Sequence, residues 1–193
     1  MMNILQKNNE VFIETDRLIL RPWKLEDASN LYELIKDPDI GPACGFLPHE
    51  NPEKSKHILQ TVMIAPNSFA ITLKEDHRII GDISIMSYPE KKRVLEDDRA
   101  EFGYWLGKEY WHQGYISEAL RALIQYAFEN LNLNQLWICY FDGNQNSARV
   151  AKRNGFKIIR LEKNVEARRI GKTLNLWHTC LNNSEIKLNN QPE

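Results

Sequence analysis

Glu101 stands inside an apolar, aromatic run, Ala100 to Leu106 (AEFGYWL), upstream of a glycine-containing turn and a strongly patterned helix. A strand over this run puts Ala100, Phe102, Tyr104 and Leu106 on one face and Glu101, Gly103 and Trp105 on the other. The carboxylate then has two readings. Either it is solvated on an open sheet face, or it faces a cleft where lost hydration suits it to take a proton from an ammonium. A polar turn containing Gly107 and Gly114 follows. From Ser117 onward Ala119, Leu120, Leu123, Ile124, Ala127 and Phe128 form one wide apolar stripe at helical spacing. Strand, glycine turn and helix start make an anion cradle. The first N–H groups of a helix lack intrahelical partners and carry the positive end of its dipole, and glycine lets the backbone approach a phosphate closely. A short glycine pattern alone arises often by chance, so the weight rests on the elements around Gly114.

Asn144 and Ser147 open a short helical stretch, Gln145 to Arg153. Helix capping is reason enough for them, and both also carry donors for a ligand. Lys152 and Arg153 at the other end are favourable partners of the helix dipole or contacts for a distant phosphate. His49, His57, His77 and His178 show no metal-ligand spacing and read as structural or solvated, so no metal is expected. Cys44, Cys139 and Cys180 are odd in number and lack a C-x-x-C pair, against a disulfide framework or zinc site. Cys139 and Cys180 sit in apolar runs as small hydrophobes. None of the three falls in the Glu101 run or the glycine turn, which disfavours a cysteine nucleophile.

These residues need a scaffold, and the composition supplies one. The 193 residues are 42% hydrophobic and 26% charged, enough for one domain over 1–193 that buries roughly 70% of its unfolded surface. A net charge of -1 argues against a general attraction to nucleic acid or an anionic membrane. The N-terminal apolar run is too short for a signal peptide and no segment reaches bilayer-spanning length, which makes the cytoplasm the expected location.

Along the chain, Leu18 to Trp23 (LILRPW) reads as the first strand. Glu26 to Lys36 reads as a helix ending before Pro38, and Asp37 to Glu50 as a loop. Asn51-Pro52 starts a second helix with Ile58, Leu59, Val62 and Met63 buried. Ser68 to Leu73 and Arg78 to Tyr88 form a hairpin, and a charged connection, Pro89 to Asp98, leads to the Glu101 strand. After the long helix, Gln135 to Phe141 is a continuous apolar strand expected to be buried on both faces. Phe156 to Leu161 and Thr173 to Leu181 are the last strands, joined by a charged stretch, with a polar tail from Asn182. The order is β-α-α-β-β-β-α-β-α-β-β, a mixed α/β class. Its central crossover makes strands 100–106 and 135–141 parallel. If they splay at their C-terminal ends, a slot opens above the helix after Gly114.

Three segments in this order, TDRLILRPWKLEDA (Thr15 to Ala28), GYWLGKEYWHQGYISEAL (Gly103 to Leu120) and NQNSARVAKRNGF (Asn144 to Phe156), resemble the GNAT superfamily of acyl-CoA-dependent N-acetyltransferases. Within it they look most like the RimJ/RimL branch of ribosomal-protein acetyltransferases. The resemblance covers the core from about residue 14 to 181. It implies the GNAT fold, a mostly antiparallel mixed sheet with one splayed parallel pair, flanked by helices. The superfamily's phosphate loop, Q/R-x-x-G-x-G/A, aligns Trp111, His112, Gln113, Gly114, Tyr115 and Ile116, departing from the pattern at Trp111 and at Ile116.

What the resemblance implies is acetyl-CoA as cosubstrate and an amine acceptor, either a protein N-terminus or a small amine. His112 to Ile116 would hold the pyrophosphate, Tyr104, Trp105 and Leu106 would pair with the pantetheine arm, and Asn144 would bond its amide. Glu101 would be the base and Ser147 the acid that protonates the leaving thiolate, with Tyr104, Tyr115 and Tyr140 as competitors for that role. Glu96, Asp97 and Asp98 would draw cations to the slot or form a plain solvated loop. The oligomeric state, monomer or homodimer, stays open. A rival of another class is a non-enzymatic acyl-CoA-binding module, distinguished by tight CoA binding without acceptor-dependent thiol release.

Overall fold

The computed structural model of the chain describes residues 2–7, 10–88 and 97–184. The strand expected over LILRPW forms as β3 (Leu18–Pro22), but two strands precede it, β1 (Asn3–Lys7) and β2 (Glu10–Glu14). Neither shows an alternating pattern. All of β1 except Ile4 is exposed, and β2 carries three apolar residues in a row, Val11 to Ile13. Helix α1 (Ala28–Ile35) follows, then α2 (Pro52–Ile58), whose first turn is capped by Asn51 Oδ1 accepting from Lys54 N at 2.8 Å. A π-helical turn, Leu59–Met63, extends α2 and buries Leu59 and Met63.

The hairpin forms as β4 (Ser68–Leu73) and β5 (Ile79–Ser87), followed by β6 (Arg99–Leu106), α3 (Tyr115–Glu129), β7 (Gln135–Phe141) and α4 (Gln145–Arg153). Strands β8 (Lys157–Ala167) and β9 (Lys172–Asn182) complete one nine-stranded sheet ordered β1-β2-β3-β4-β5-β6-β7-β9-β8. Every described pairing is antiparallel except β6 with β7. Of the charged connection expected over Pro89–Asp98, residues 89–96 lie outside the described residues, Glu96 with them. The tail beyond residue 184 does too.

The sheet carries a core on each face. The larger packs Ala100, Phe102 and Leu106 of β6 with Leu120, Leu123 and Ala127 of α3. The smaller packs Trp105 with Trp23, Leu31 and Ile35. The alternation along β6 therefore divides its side chains between two cores. Strand β7 corrects the expectation of burial on both faces. Leu136, Ile138 and Tyr140 are buried, while Trp137, Cys139 and Phe141 are only half-buried. The smaller cluster, with residues from α1 and α2, reaches Trp105 and includes no residue of β7.

The last strands also run longer than the apolar pattern implied. Glu162 to Ala167, expected to belong to a charged link, continues β8 on the outer edge of the sheet, where charged residues suit a strand with one open side. Among the described residues no helix is long and apolar enough to cross a membrane.

Candidate active site

Strands β6 and β7 pair only through Arg99↔Gln135, Ala100↔Leu136 and Glu101↔Trp137. Beyond Glu101, β6 stays paired with β5 as far as Leu106↔Gly81 but parts from β7. The gap is a cleft of about 350 Å3. Backbone polar groups freed this way need partners, and their direction alternates along the strand. The Tyr104 carbonyl lies 3.7 Å from Cys44 Sγ and the Leu106 carbonyl accepts from Trp111 Nε1 at 3.0 Å, both on the cleft side. The Trp105 carbonyl instead lies against β5, so near Gly81 that a Cβ there would come within 2.3 Å of it. Of the three residues expected to offer main-chain groups, Tyr104 and Leu106 face the cleft. Trp105 lines it without turning its carbonyl to it.

The cleft ends on the start of α3. Gly114 caps this helix with φ +83°, a left-handed conformation that favours glycine, and the helix has no side-chain cap. Glu118 N bonds Gly114 O, so the N–H groups of Tyr115, Ile116 and Ser117 have no partner within the helix. Ile116, the departure from the usual small residue, is 8% exposed and packs into the larger core, leaving the helix end open. Trp111, the other departure, ties the loop to the strand through Leu106. His112, Gly114 and Tyr115 also line the cleft, whereas Gln113 does not. Its carbonyl accepts from Arg17 Nη1 at 3.2 Å and its amide donates to Glu109 O at 2.7 Å.

Arg17 was not singled out in the sequence. Its guanidinium packs 4.3 Å from the centre of the Tyr115 ring while Nε bonds Glu118 Oε2 at 2.7 Å. Thr15 Oγ1 (2.6 Å) and Arg17 N (2.8 Å) both donate to Glu118 Oε1. The first two of the three matching segments are thus one hydrogen-bonded unit that fixes how the helix start sits against β3. The third joins them through Asn154 Nδ2, 3.4 Å from Ser117 Oγ. The signal in the sequence was the co-occurrence of TDRL with GYISEAL.

Helix α4 forms the far wall. Asn144 Oδ1 caps it, accepting from Ser147 N at 3.1 Å, and Asn144 Nδ2 donates to Ala43 O at 3.2 Å, so part of its bonding capacity is structural. Ser147 lines the cleft, as do Arg149 and Arg153, one helical turn apart. Lys152 does not. Tyr104 Oη is buried without a hydrogen-bond partner among the described residues. Burial pushes this phenol far up, against a pull from Ser147, so it keeps its proton at neutral pH. Tyr140 is also raised by burial but does not line the cleft.

Cys44, from a short turn in the loop after α1, lines the cleft too. It keeps an exposed surface, yet lost hydration, with Asp82 nearby, pushes the thiol up to about 12. A protonated thiol is a poor nucleophile. Cys139 corrects the expectation of a plain core hydrophobe: it stands on β7 with Sγ 3.3 Å from His178 Nδ1.

Glu101 occupies the last paired position, the apex of the V, on the face away from α3. It is 3% exposed and does not line the helix-side cleft, which removes the solvated reading. Asp97, by contrast, is bound up with Arg99 through Nη2 at 2.7 Å, and Asp98 accepts from Asn134 Nδ2 at 2.9 Å.

A parted parallel pair whose main-chain groups face a cleft, with a helix start free of a side-chain cap at one end and arginines on the wall, suits an extended ligand that carries phosphate groups. Comparison with known proteins agrees. The model of the acetyltransferase (GNAT) domain matches residues 17–157, and the chain belongs to this family. The uncharacterized N-acetyltransferase p20 of Bacillus licheniformis is 33% identical over 127 residues, 63% of this chain and 68% of p20. The ribosomal-protein-serine acetyltransferase of Escherichia coli is 36% identical over 105 residues, 52% and 55% of the two chains. A GNAT-family acetyltransferase from Bacillus anthracis shares the fold with a TM-score of 0.79 at 19% identity, over 89% of this chain and 98% of that one. The protein is an acetyl-CoA-dependent acetyltransferase with RimJ/RimL-like relatives.

Proposed function

We propose that the protein transfers the acetyl group of acetyl-CoA to a primary amine by direct attack within a ternary complex, and that its acceptor is a protein N-terminus. The observation that carries this reading is the loss of β6–β7 pairing after three residues, above a helix start with no side-chain cap. An extended pantetheine arm fits the gap as a substitute strand against Tyr104 and Leu106. Its diphosphate fits the N–H groups of Tyr115 to Ser117, with His112, Arg149 and Arg153 adding positive or donor character. Asn144 retains donor capacity for the pantetheine amide.

In the reaction the amine nitrogen attacks the thioester carbon, converting a bimolecular encounter into a positioned one. A main-chain N–H of Tyr104 or Leu106 meets the developing oxyanion. The C–S bond then breaks, and the thiolate takes a proton from Ser147 or from the Tyr104 phenol. Glu101, at the apex and reached through a water, removes the surplus proton of the nitrogen. The relative named a ribosomal-protein-serine acetyltransferase supports a protein as acceptor.

The test is acceptor-dependent thiol release with N-terminal peptides and small amines, products being read by mass spectrometry. Peptide acetylation confined to the α-amine supports the reading, and release that ignores every amine refutes it. Glu101→Gln is expected to keep CoA affinity and lose at least about a hundredfold in kcat at neutral pH, less at higher pH, where more of the amine is already neutral. Full activity of that variant at neutral pH removes Glu101 from the mechanism.

A further inference from the structure

The sheet face away from α3 holds a second group of titratable side chains, which the chemistry above leaves unused. His178 on β9 is 5% exposed. Its Nδ1 lies 3.1 Å from Tyr88 Oη, just past the end of β5, and 3.3 Å from Cys139 Sγ on β7. Its Nε2 lies 2.9 Å from Glu162 Oε2 on β8, and the same oxygen accepts from Arg160 Nη1 at 2.9 Å. Hydrogen bonds from Arg160 and His178 hold the Glu162 carboxyl below its usual range, so it is an anion that only accepts. The imidazole therefore carries its proton on Nε2 and turns the Nδ1 lone pair toward the Tyr88 hydroxyl.

Strand register sets this group beside the apex of the V. Glu101 is opposite Trp137, and Cys139 is two residues further along β7 on the same face, about 6.6 Å at the usual rise. His178 is directly opposite Cys139. The Tyr88 ring stacks on Trp137 with centroids 4.2 Å apart and planes 2° apart. Burial raises the Tyr88 phenol, and Cys139 and Glu101 are among the neighbours that add to it, while Arg160 opposes. Tyr88 thus stands between the Glu101 side of the sheet and the imidazole. Beyond the imidazole, Glu162 has a side chain 44% exposed. Among the described residues the groups facing His178 include Tyr88 just past β5, Cys139 from β7, and Glu162 and Arg160 from β8, with Glu101 of β6 on the far side of Tyr88.

We propose that Tyr88, His178 and Glu162 form a proton relay for the acceptor side of the cleft. This rests on the direct-attack reading. Glu101 is 3% exposed, so while cosubstrate and acceptor fill the cleft it is kept from bulk water. In the relay it gives the proton taken from the amine to the Tyr88 oxygen as the phenol gives its own to His178 Nδ1. Glu101 returns to the carboxylate, Tyr88 is unchanged, and the imidazolium is balanced by Glu162. When the acetylated product leaves and water re-enters at the apex, the shift runs in reverse: Nδ1 returns its proton to the Tyr88 oxygen as the phenol passes one back through Glu101 to that water, and the Nε2–H tautomer is restored. Tyr88, His178 and Glu162 are positioning residues in this scheme, because they act through Glu101.

The experiment is steady-state acetylation of an N-terminal peptide as a function of pH, with KM for acetyl-CoA and thermal melts alongside. Tyr88→Phe and His178→Gln are expected to lower the acetylation rate about tenfold or more near neutral pH. The loss should shrink as pH rises, with KM for acetyl-CoA unchanged. A rate equal to wild type, or a loss of the same size at every pH, overturns the relay. Should either variant fold poorly, Glu162→Gln decides the matter from the exposed side. It removes the counter-charge of the imidazolium, so the acid limb of the rate profile moves to lower pH, and an unmoved limb overturns the proposal. Absence of acceptor-dependent turnover in the wild-type protein is a different result and refutes the direct-attack reading itself.

Discussion

Replacing Glu118 by Gln tests whether the helix start proposed to seat the diphosphate is held from β3 rather than by the helix alone. The carboxylate accepts three hydrogen bonds, from Thr15 Oγ1, Arg17 N and Arg17 Nε. Gln can keep the two on Oε1, but as neutral bonds worth roughly half of charge-assisted ones, a loss of about 1 kcal/mol each. The third is replaced by an amide N–H facing a guanidinium N–H. Because the Arg17 side chain is 47% exposed, that arm contributes less than about 1 kcal/mol. The sum is about 2–3 kcal/mol, or about 4–12 °C in Tm for a chain of this size. Burial works against ionisation of Glu118, but the bonds from Thr15 and Arg17 outweigh it and hold the carboxyl below its usual value of 4.5. A carboxyl lowered on folding contributes stability that is complete above its unfolded pKa and lost as pH falls through the folded one. The gap between wild type and variant should therefore be full at neutral pH and close in acid. Thermal melts at pH about 7 and about 3.5, with KM for acetyl-CoA measured at neutral pH, provide the assay. Equal Tm values at neutral pH, or a gap that persists unchanged in acid, would refute the reasoning. So would a lowered Tm with KM untouched, as far as the link to cofactor binding is concerned.

Other outcomes follow from single residues. Gly114→Ala must hold alanine at φ +83°, a cost of about 1–2 kcal/mol even though the nearest atom, Arg17 Nη2, leaves room at 3.6 Å. Titration calorimetry should show weaker CoA binding, and unchanged affinity would count against the cradle. Tyr104→Phe removes a buried oxygen with no described partner, so Tm should hold within about 1 kcal/mol of stability while kcat falls. If kcat instead falls only in Ser147→Ala, Ser147 is the acid. Cys44, with its thiol pushed up to about 12, should react slowly with iodoacetamide at neutral pH despite its exposure, and more slowly still with CoA bound. Rapid labelling followed by mass spectrometry would contradict that placement.

What the sequence disclosed and what it hid divide along physical lines. Ser68–Leu73, Gln135–Phe141 and Gln145–Arg153 have the boundaries read from apolar runs and turn residues, because local patterns decide central strands and capped helices. Strands β1 and β2 escaped because their residues are mostly exposed or half-buried, and the outer half of β8 escaped because an edge strand tolerates charge. The parting of β6 from β7 was anticipated only as a condition, since pairing between strands is not written in either one. Gln113 turns away from the cleft, but Tyr104, Leu106, His112, Gly114, Tyr115 and Ile116 of its lining were legible by type and order. Cys44, Arg17 and Arg149 were not, because each reaches the cleft or its rim through tertiary packing: a loop folded across the slot, a strand end laid on the helix start, and one more turn of α4.

The two sheet faces share one strand between unlike tasks, and alternation is what makes this workable. Side chains of β6 at Phe102 and Leu106 anchor the core beneath α3, and Trp105 anchors the core beneath α1. Glu101 shares a face with Trp105 but stands where that second cluster has ended, next to the half-buried residues of β7 and the Tyr88–His178–Glu162 chain. Main-chain groups of Tyr104 and Leu106 turn to neither face but to the strand edge. Had α1 and α2 extended their cover as far as β7, Trp137 and Cys139 would be core residues and the apex carboxylate would be sealed off. On the direct-attack reading the short reach of the smaller core keeps the acceptor side able to exchange protons. Cys139→Leu, which extends the apolar cover while leaving His178 bonded to Tyr88 and Glu162, should lower kcat, with an unchanged kcat counting against the argument.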